Sequence, residues 1–445
     1  MPNTADELLK INRVSEDNLQ DYLRTEVPQD TMQAFFGRHA ADIEQYTVAN
    51  KKDNKRGDSL IIFLPGLTGS LLEDVGSQSE VLWINPLAFL SGHLNHLDMT
   101  ADGASDVTPG VRVEATKPIW IVYAKLVLAL QQRYEIYSFP YDWRRTPGYS
   151  ALKLKEFIDE RLAGSPRKQV TLVGHSMGGL VILDYLAGDQ TKAHAAKAVK
   201  RAITLGTPFR GALETLIMLA KGDDPQMQIA RKLNRANDPS RMLRSFPSMY
   251  SLLPAPKDLY PDWNPIPDLD IWDPQTWAAA NIPISAAHLA AAKAHHQMIA
   301  AADPQTPIYN VIGAYYPTPV QLLGKMFSAI PKYIRDGLTG GDGTVECLSA
   351  QLKGRPTYYV QEVHIELVLE KTVIEAIQSW VEGAQPTSLV QDIGKVVLND
   401  TALRAAVPIA PMGIRTDQIA NKLNADQSLT NDDIKTLFMS NATSL

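Results

Sequence analysis

The chain contains one cysteine, Cys347, which excludes an intrachain disulfide and any metal site built on several thiolates. With no partner motif around it, Cys347 reads as a small packed residue rather than a nucleophile. Neither sign of charge dominates. Forty-three basic and 49 acidic residues are mixed throughout and give a net charge of −6, so no electrostatic footprint for nucleic acid is present. Long apolar runs are missing too. The longest, Ile119 to Leu130, is too short to span a bilayer and contains Lys125. No low-complexity tract or internal repeat is evident in the 445 residues, which suffice for one large core with appendages or for two domains. The stretch Met1-Pro2-Asn3-Thr4-Ala5-Asp6-Glu7 carries early acid and no apolar core. A secretory signal is therefore not expected, and a cytoplasmic protein is the default, with signal-independent export as the alternative.

What is present is an alternation of short apolar runs with helical patterns. Residues 1–56 read as a polar helical leader ending in the charged run Lys51 to Arg56. Strands are expected at Ser59–Leu64, Glu135–Phe139, Gln169–Val173, Ala202–Leu205, Ile308–Gly313 and Tyr358–Val360. Helices are expected at Pro118–Arg133 (amphipathic), Tyr149–Leu162 and about 365–382. Such alternation predicts an α/β architecture with a doubly wound, mostly parallel sheet. The rhythm breaks over 212–305, which is rich in Met, Trp, Tyr and Pro and reads as an inserted helical cap. The core is thus expected over 57–211 and 306–385, and short helices over 386–445. There, Thr430-Asn431-Asp432-Asp433 before Ile434 fits a capping box. Because the insertion follows the sheet edge expected to carry the site, Met249, Tyr250 and Trp263 are its candidate substrate contacts.

One stretch carries chemistry. Val170 to Gly179 runs from an apolar strand through Gly174-His175-Ser176-Met177-Gly178 into a helical pattern. A serine on a sharp strand-to-helix turn presents its hydroxyl to a substrate, and small neighbours let strand and helix close around it. Ser176 is therefore the candidate nucleophile. It needs a base, and the base needs an orienting acid; in this architecture the chain order is serine, acid, histidine. His39, His93 and His96 precede the serine, and His175 lies beside it pointing elsewhere. His194, His288, His295 and His296 fall before the last strands, the final three on an Ala-rich stretch that reads as a solvated helix face. Only His364 follows the last expected strand. Asp342, framed by glycines in Gly340-Gly341-Asp342-Gly343, is the leading acid, with Asp336 and Asp303 as rivals. An oxyanion hole would take one backbone N–H from Met177 and one from Leu67, in the Pro65-Gly66-Leu67-Thr68-Gly69-Ser70 loop.

With these pieces assembled, the chain resembles the lecithin:cholesterol acyltransferase family of α/β-hydrolases, which includes lysosomal-type phospholipases and acyltransferases. The matching segments run in the family's order: Pro65 to Ser70, Leu82-Trp83-Ile84-Asn85, Tyr141-Asp142-Trp143-Arg144, Gly174 to Gly179, and Thr204-Leu205-Gly206-Thr207-Pro208. Then come Phe246 to Tyr250 with Leu252-Leu253-Pro254, Gly341 to Val345, and His364-Ile365-Glu366. The likeness covers roughly 57–380. Tyr141 to Arg144 read as a structural buried pairing near the site. The resemblance implies an α/β-hydrolase fold with an inserted cap and a serine hydrolase or O-acyltransferase acting on lipid esters. It also implies contact with a membrane surface, and no metal or organic cofactor in the chemistry. The chain departs from the family in two places. No cysteine follows the oxyanion loop, where secreted members close a membrane-contacting loop with a disulfide. Leu67 stands where the family often has a polar residue. Two other readings remain: a small-molecule carboxylesterase or thioesterase, and a non-catalytic binding module on a hydrolase fold.

Overall fold

The computed structural model describes residues 4–49, 56–76, 80–221, 225–324, 331–398 and 412–425, together with 327, 427 and 433. In chain order the strands are β1 (Arg56–Leu64), β2 (Ser70–Asp74), β3 (Glu80–Trp83), β4 (Val113–Pro118), β5 (Tyr134–Ser138) and β6 (Val170–His175). They continue with β7 (Val199–Leu205), β8 (Ile308–Gly313), β9 (Thr318–Leu322), β10 (Pro331–Ile334) and β11 (Thr357–Val360). Six of them form one sheet in the order β11-β8-β7-β6-β1-β5, every pairing parallel. Helices pack against it, as the near-continuous apolar strands require. β6 is buried at every residue. The six expected strands are all present, within a few residues of their expected bounds. A small antiparallel sheet, β3-β2-β4, and the β9–β10 hairpin were not anticipated. The capping box at 430–434, apart from Asp433, and most of the run 51–56 lie outside the described residues.

Between β7 and β8 the chain folds as helices Leu213–Lys221, Pro225–Leu233, Pro239–Ser245, Pro247–Ser251, Pro274–Ala279 and Ala286–Ala301. The last carries a correction. His288 and His296 do not lie on a solvated face; both are buried, His296 completely, against the Trp272 ring. His295 is bonded to the buried Asp184 at 2.8 Å. The sequence misled because alanines carry almost no periodic signal. Burial, with His295 alongside, pushes the His296 pKa down to about 3. The folded chain therefore holds it neutral, while the unfolded chain takes up a proton below about pH 6.5. That difference stabilises the unfolded state as pH falls through 6.5. Relative to a His296→Leu variant, the wild type should lose about 2 kcal/mol of stability between pH 8 and pH 5. Urea midpoints at the two pH values measure this directly.

Two further readings are corrected. The helix Trp120–Gln131 is buried on every side rather than amphipathic. The reason is that the N-terminal segment is more than a polar leader. Leu8, Ile11, Leu19, Met32, Phe35 and Ile43 on its helices join the main core. Trp120 Nε1 donates to the Val14 carbonyl at 2.7 Å. Lys125, the one charge in the apolar run, reaches Asp42 at 2.7 Å and His39 Nδ1 at 3.0 Å.

Candidate active site

Ser176 joins β6 to the helix Met177–Ala187 at φ +52°. A serine adopts that left-handed conformation at a cost of order 1–3 kcal/mol. The turn is tight because Gly178 lacks a side chain: a Cβ there would sit 2.6 Å from the carbonyl oxygens of both Leu64 and Pro65. β1 and β6 stay in register up to Leu64↔Gly174, so the loop after β1 arrives beside the serine. Gly66 in that loop leaves 2.9 Å between its Cβ position and Ser176 Cβ, so any larger residue would collide there.

Met177 opens the following helix, and its side chain is fully buried. Its N–H belongs to the first turn, which has no intrahelical acceptor and sits at the positive end of the helix dipole. Leu67 lines the cavity onto which Ser176 and His364 both open, a space of about 90 Å³. The 212–305 insertion contributes Glu214, Thr215, Met218 and Leu252 to its wall. Met249, Tyr250 and Trp263 do not line it, which corrects their reading as substrate contacts. They are packed inside, with Tyr250 Oη on the Arg244 carbonyl at 2.8 Å and Trp263 Nε1 on Glu346 at 2.6 Å.

Asp342, which follows the 3-10 turn Gly337–Thr339, and His364, which follows β11, come together. Asp342 Oδ2 is 2.7 Å from His364 Nδ1, and the His364 N–H donates to the Asp342 carbonyl at 2.9 Å. The second carboxylate oxygen accepts from Thr344 N–H at 3.0 Å and Val345 N–H at 2.7 Å, so the group is held at both ends. The carboxyl is buried, 1 % exposed. The rival acids are elsewhere: Asp336 is exposed, and Asp303 pairs with Arg355 at 2.5 Å.

Two sets of supporting residues were not foreseen. The first is a chain of hydrogen bonds through Tyr123 and His175. His175 Nε2 lies 3.1 Å from the His364 carbonyl, which can only accept, so Nε2 carries the proton. His175 Nδ1 then accepts from Tyr123 Oη at 3.1 Å, and Tyr123 Oη accepts from Gly66 N–H at 3.0 Å. Burial and the neighbouring His364 push the His175 pKa down to about 3, which keeps it neutral for this duty. The chain ties the Gly66 loop to the His364 backbone. Tyr123→Phe leaves a buried N–H and a buried ring nitrogen unpaired and should cost about 1–3 kcal/mol in urea unfolding. The second set braces the His364 loop from the N-terminal helices. Arg38 bonds Glu362 at 2.8 Å and Glu366 at 2.9 Å, and His39 Nε2 is 2.5 Å from Glu366. Lys125, alone in an apolar run, was the available sequence signal for this network.

The Tyr141–Arg144 segment holds the Gly66 loop from the other side. Tyr141 Oη donates to the Pro65 carbonyl at 2.8 Å, and Trp143 Nε1 donates to the Ser70 carbonyl at 3.0 Å. Trp83 Nε1 donates to the Thr68 carbonyl at 2.9 Å.

A six-stranded parallel sheet with a serine on the strand-to-helix turn of β6 defines an α/β-hydrolase fold. The model of the family described as "Lecithin:cholesterol acyltransferase" matches residues 114–370, more than half of the chain. The chain belongs to that family. The matched stretch begins after Pro65–Ser70 and Leu82–Asn85, so those two likenesses lie outside it. Among curated relatives, the Canis lupus familiaris protein named lysosomal phospholipase A and acyltransferase is 29% identical over 222 residues, 48% of this chain and 52% of that protein. The Homo sapiens protein of the same name is 27% identical over 265 residues, 56% of this chain and 62% of that protein. The Papio anubis phosphatidylcholine-sterol acyltransferase is 32% identical over 123 residues, 27% of each. The two lysosomal matches thus span a little over half the length of those relatives. The cytoplasmic default does not stand beside relatives named lysosomal. Among the described residues, no helix is long and apolar enough to cross a membrane.

Proposed function

We propose that the chain is a serine acyl hydrolase or acyltransferase of lipid esters, with Ser176 as nucleophile, His364 as general base and Asp342 as its orienting acid. The observation that carries this reading is the shared cavity of Ser176 and His364, with Asp342 Oδ2 at 2.7 Å from His364 Nδ1. Asp342 fixes the tautomer, leaving Nε2 to take the Ser176 proton as Oγ attacks the ester carbonyl carbon. The Leu67 and Met177 N–H groups hold the oxyanion, each worth about 3–4 kcal/mol. His364 returns the proton to the departing alkoxide as the carbonyl–oxygen bond breaks. Water, or a second alcohol, then gives its proton to His364 as its oxygen attacks the acyl carbon, and His364 returns that proton to Ser176 Oγ as the acyl–Oγ bond breaks. The phospholipase and acyltransferase names of the relatives support a lipid ester as donor.

One observation favours a second reading. The cavity of about 90 Å³ is far below the roughly 300–1,000 Å³ usual for drug-sized ligands, which suits a short soluble ester. Turnover of phosphatidylcholine vesicles against short-chain p-nitrophenyl esters separates the two. Acyl release or transfer from vesicles is expected. Cleavage confined to the short esters would establish the carboxylesterase instead. Absence of a fluorophosphonate adduct on Ser176 in folded protein would establish the non-catalytic module.

A further inference from the structure

Away from the serine, Glu80, His93 and His96 converge beside the small antiparallel sheet. Glu80 opens β3, and the two histidines lie on the 3-10 turn His93–Leu97. Three residues per turn eclipse positions i and i+3. The imidazoles accordingly stack, with centroids 4.7 Å apart and planes 12° from parallel. Glu80 Oε2 is 2.8 Å from His93 Nδ1. One ligand atom from each of the three residues lies within 4.8 Å of the others, and all three residues are half-buried. A carboxylate–imidazole hydrogen bond accounts for Glu80 and His93 alone. It does not involve His96, whose ring nitrogen nevertheless lies within 4.8 Å of a ligand atom of each of the other two.

We propose that Glu80, His93 and His96 form a zinc site of three protein ligands, with water in the open fourth position. Two imidazoles and a carboxylate are a donor set that zinc accepts, at about 2.0–2.2 Å per bond. Tetrahedral ligands at that bond length stand roughly 3.3 Å apart, so the ligand atoms must close by up to about 1.5 Å and the imidazoles must turn out of their stack to aim both in-plane lone pairs at the ion. Partial exposure leaves a path for the ion and room for the water. The ion fastens β3 to the 3-10 turn across the helix Pro86–Ser91. With a single cysteine in the chain, no intrachain disulfide can do so. Trp83, at the end of β3, lines the cavity and bonds Thr68, so the clip steadies that wall. No step at Ser176 passes through the ion.

The test uses the full chain, stripped with a chelator and exchanged into metal-free buffer. Calorimetric titration with zinc chloride should give one equivalent per chain. Cobalt(II) substitution should give the intense visible bands of a four-coordinate site. Zinc should raise Tm in the wild type. His93→Ala and His96→Ala should each weaken binding at least tenfold and abolish the Tm rise. Glu80→Gln keeps a hydrogen-bonding group of the same shape, so it guards against loss of fold, and should weaken binding too. His194→Ala removes a histidine paired elsewhere with Asp159 and should leave the stoichiometry at one. Fewer than about 0.1 equivalents bound to wild type, six-coordinate cobalt, or undiminished binding in the double His93→Ala/His96→Ala variant would each overturn the proposal.

Discussion

Ser176→Ala is expected to lower turnover of any cleaved ester by about a million-fold and to abolish fluorophosphonate labelling, with the urea midpoint unchanged. The size follows from what the residue would do. Covalent acyl transfer has no alternative nucleophile once Oγ is gone, and the oxyanion donors then act on a reaction with bulk water alone. The unchanged midpoint follows from the site. Alanine keeps the same backbone torsion at φ +52°, and the half-buried hydroxyl caps nothing in the following helix. Asp342→Asn should fall less far, by about ten-thousand-fold, because the base survives but its preferred tautomer changes. An amide cannot replace the carboxylate on both sides, since Oδ1 accepts two backbone N–H groups and Oδ2 faces His364 Nδ1. Single-turnover and steady-state assays of both variants against the same ester measure the two losses. Ser176→Ala activity within tenfold of wild type would remove Ser176 from the role assigned to it.

The largest stability effect is expected at Arg144. Its side chain is completely buried and bonded at every nitrogen. Asp142 takes a bidentate pair at 2.9 and 2.8 Å, Asp106 a third bond at 2.7 Å, and the Leu97 carbonyl a fourth at 2.9 Å. Burial opposes the charge, but the two carboxylates more than offset it, and the guanidinium pKa is raised. Arg144→Met leaves Asp106 without its cation and Asp142 with only Arg145 Nε at 3.6 Å, a loss of about 3–5 kcal/mol. Arg144→Lys restores the charge without the planar fork and should recover only part of this. Urea midpoints of the three proteins check the order wild type, Lys, Met. Because Tyr141 and Trp143 of the same segment hold the loop after β1, both variants should also slow ester turnover through the proposed Leu67 donor.

Most of what bears on the proposed chemistry was legible in one dimension because it is local. A strand, a serine and a helix within one decade of residues encode the elbow, for the reasons of backbone torsion and close packing that Gly178 makes visible. Parallel strands announce themselves as apolar runs, and chain order left His364 as the one histidine after the last expected strand. Asp342 stood out through its flanking glycines. Less legible were features set by what packs on what. Trp120–Gln131 looked amphipathic, yet the N-terminal helices, far earlier in the chain, cover its polar-looking side. His288 and His296 looked solvated in an alanine-rich helix whose buried face has no signature. Met249, Tyr250 and Trp263 looked like ligand surface, but composition cannot tell an apolar wall of a cavity from an apolar interior.

The sequence by itself determined the reaction class to test, the three side chains proposed to carry it, and the architecture that presents them. Each depends on residue identity and order along the chain. Tertiary structure alone decided which groups face the cavity and which hold the proposed reacting groups in place. Tyr123 meets Gly66 and His175, Arg38 and His39 meet Glu362 and Glu366, and Glu80 meets His93 and His96. Some of these partners are hundreds of residues apart and none is announced by a shared motif. Their contacts exist only because burying a common apolar core forces distant segments together, and every polar group carried along must then find a partner.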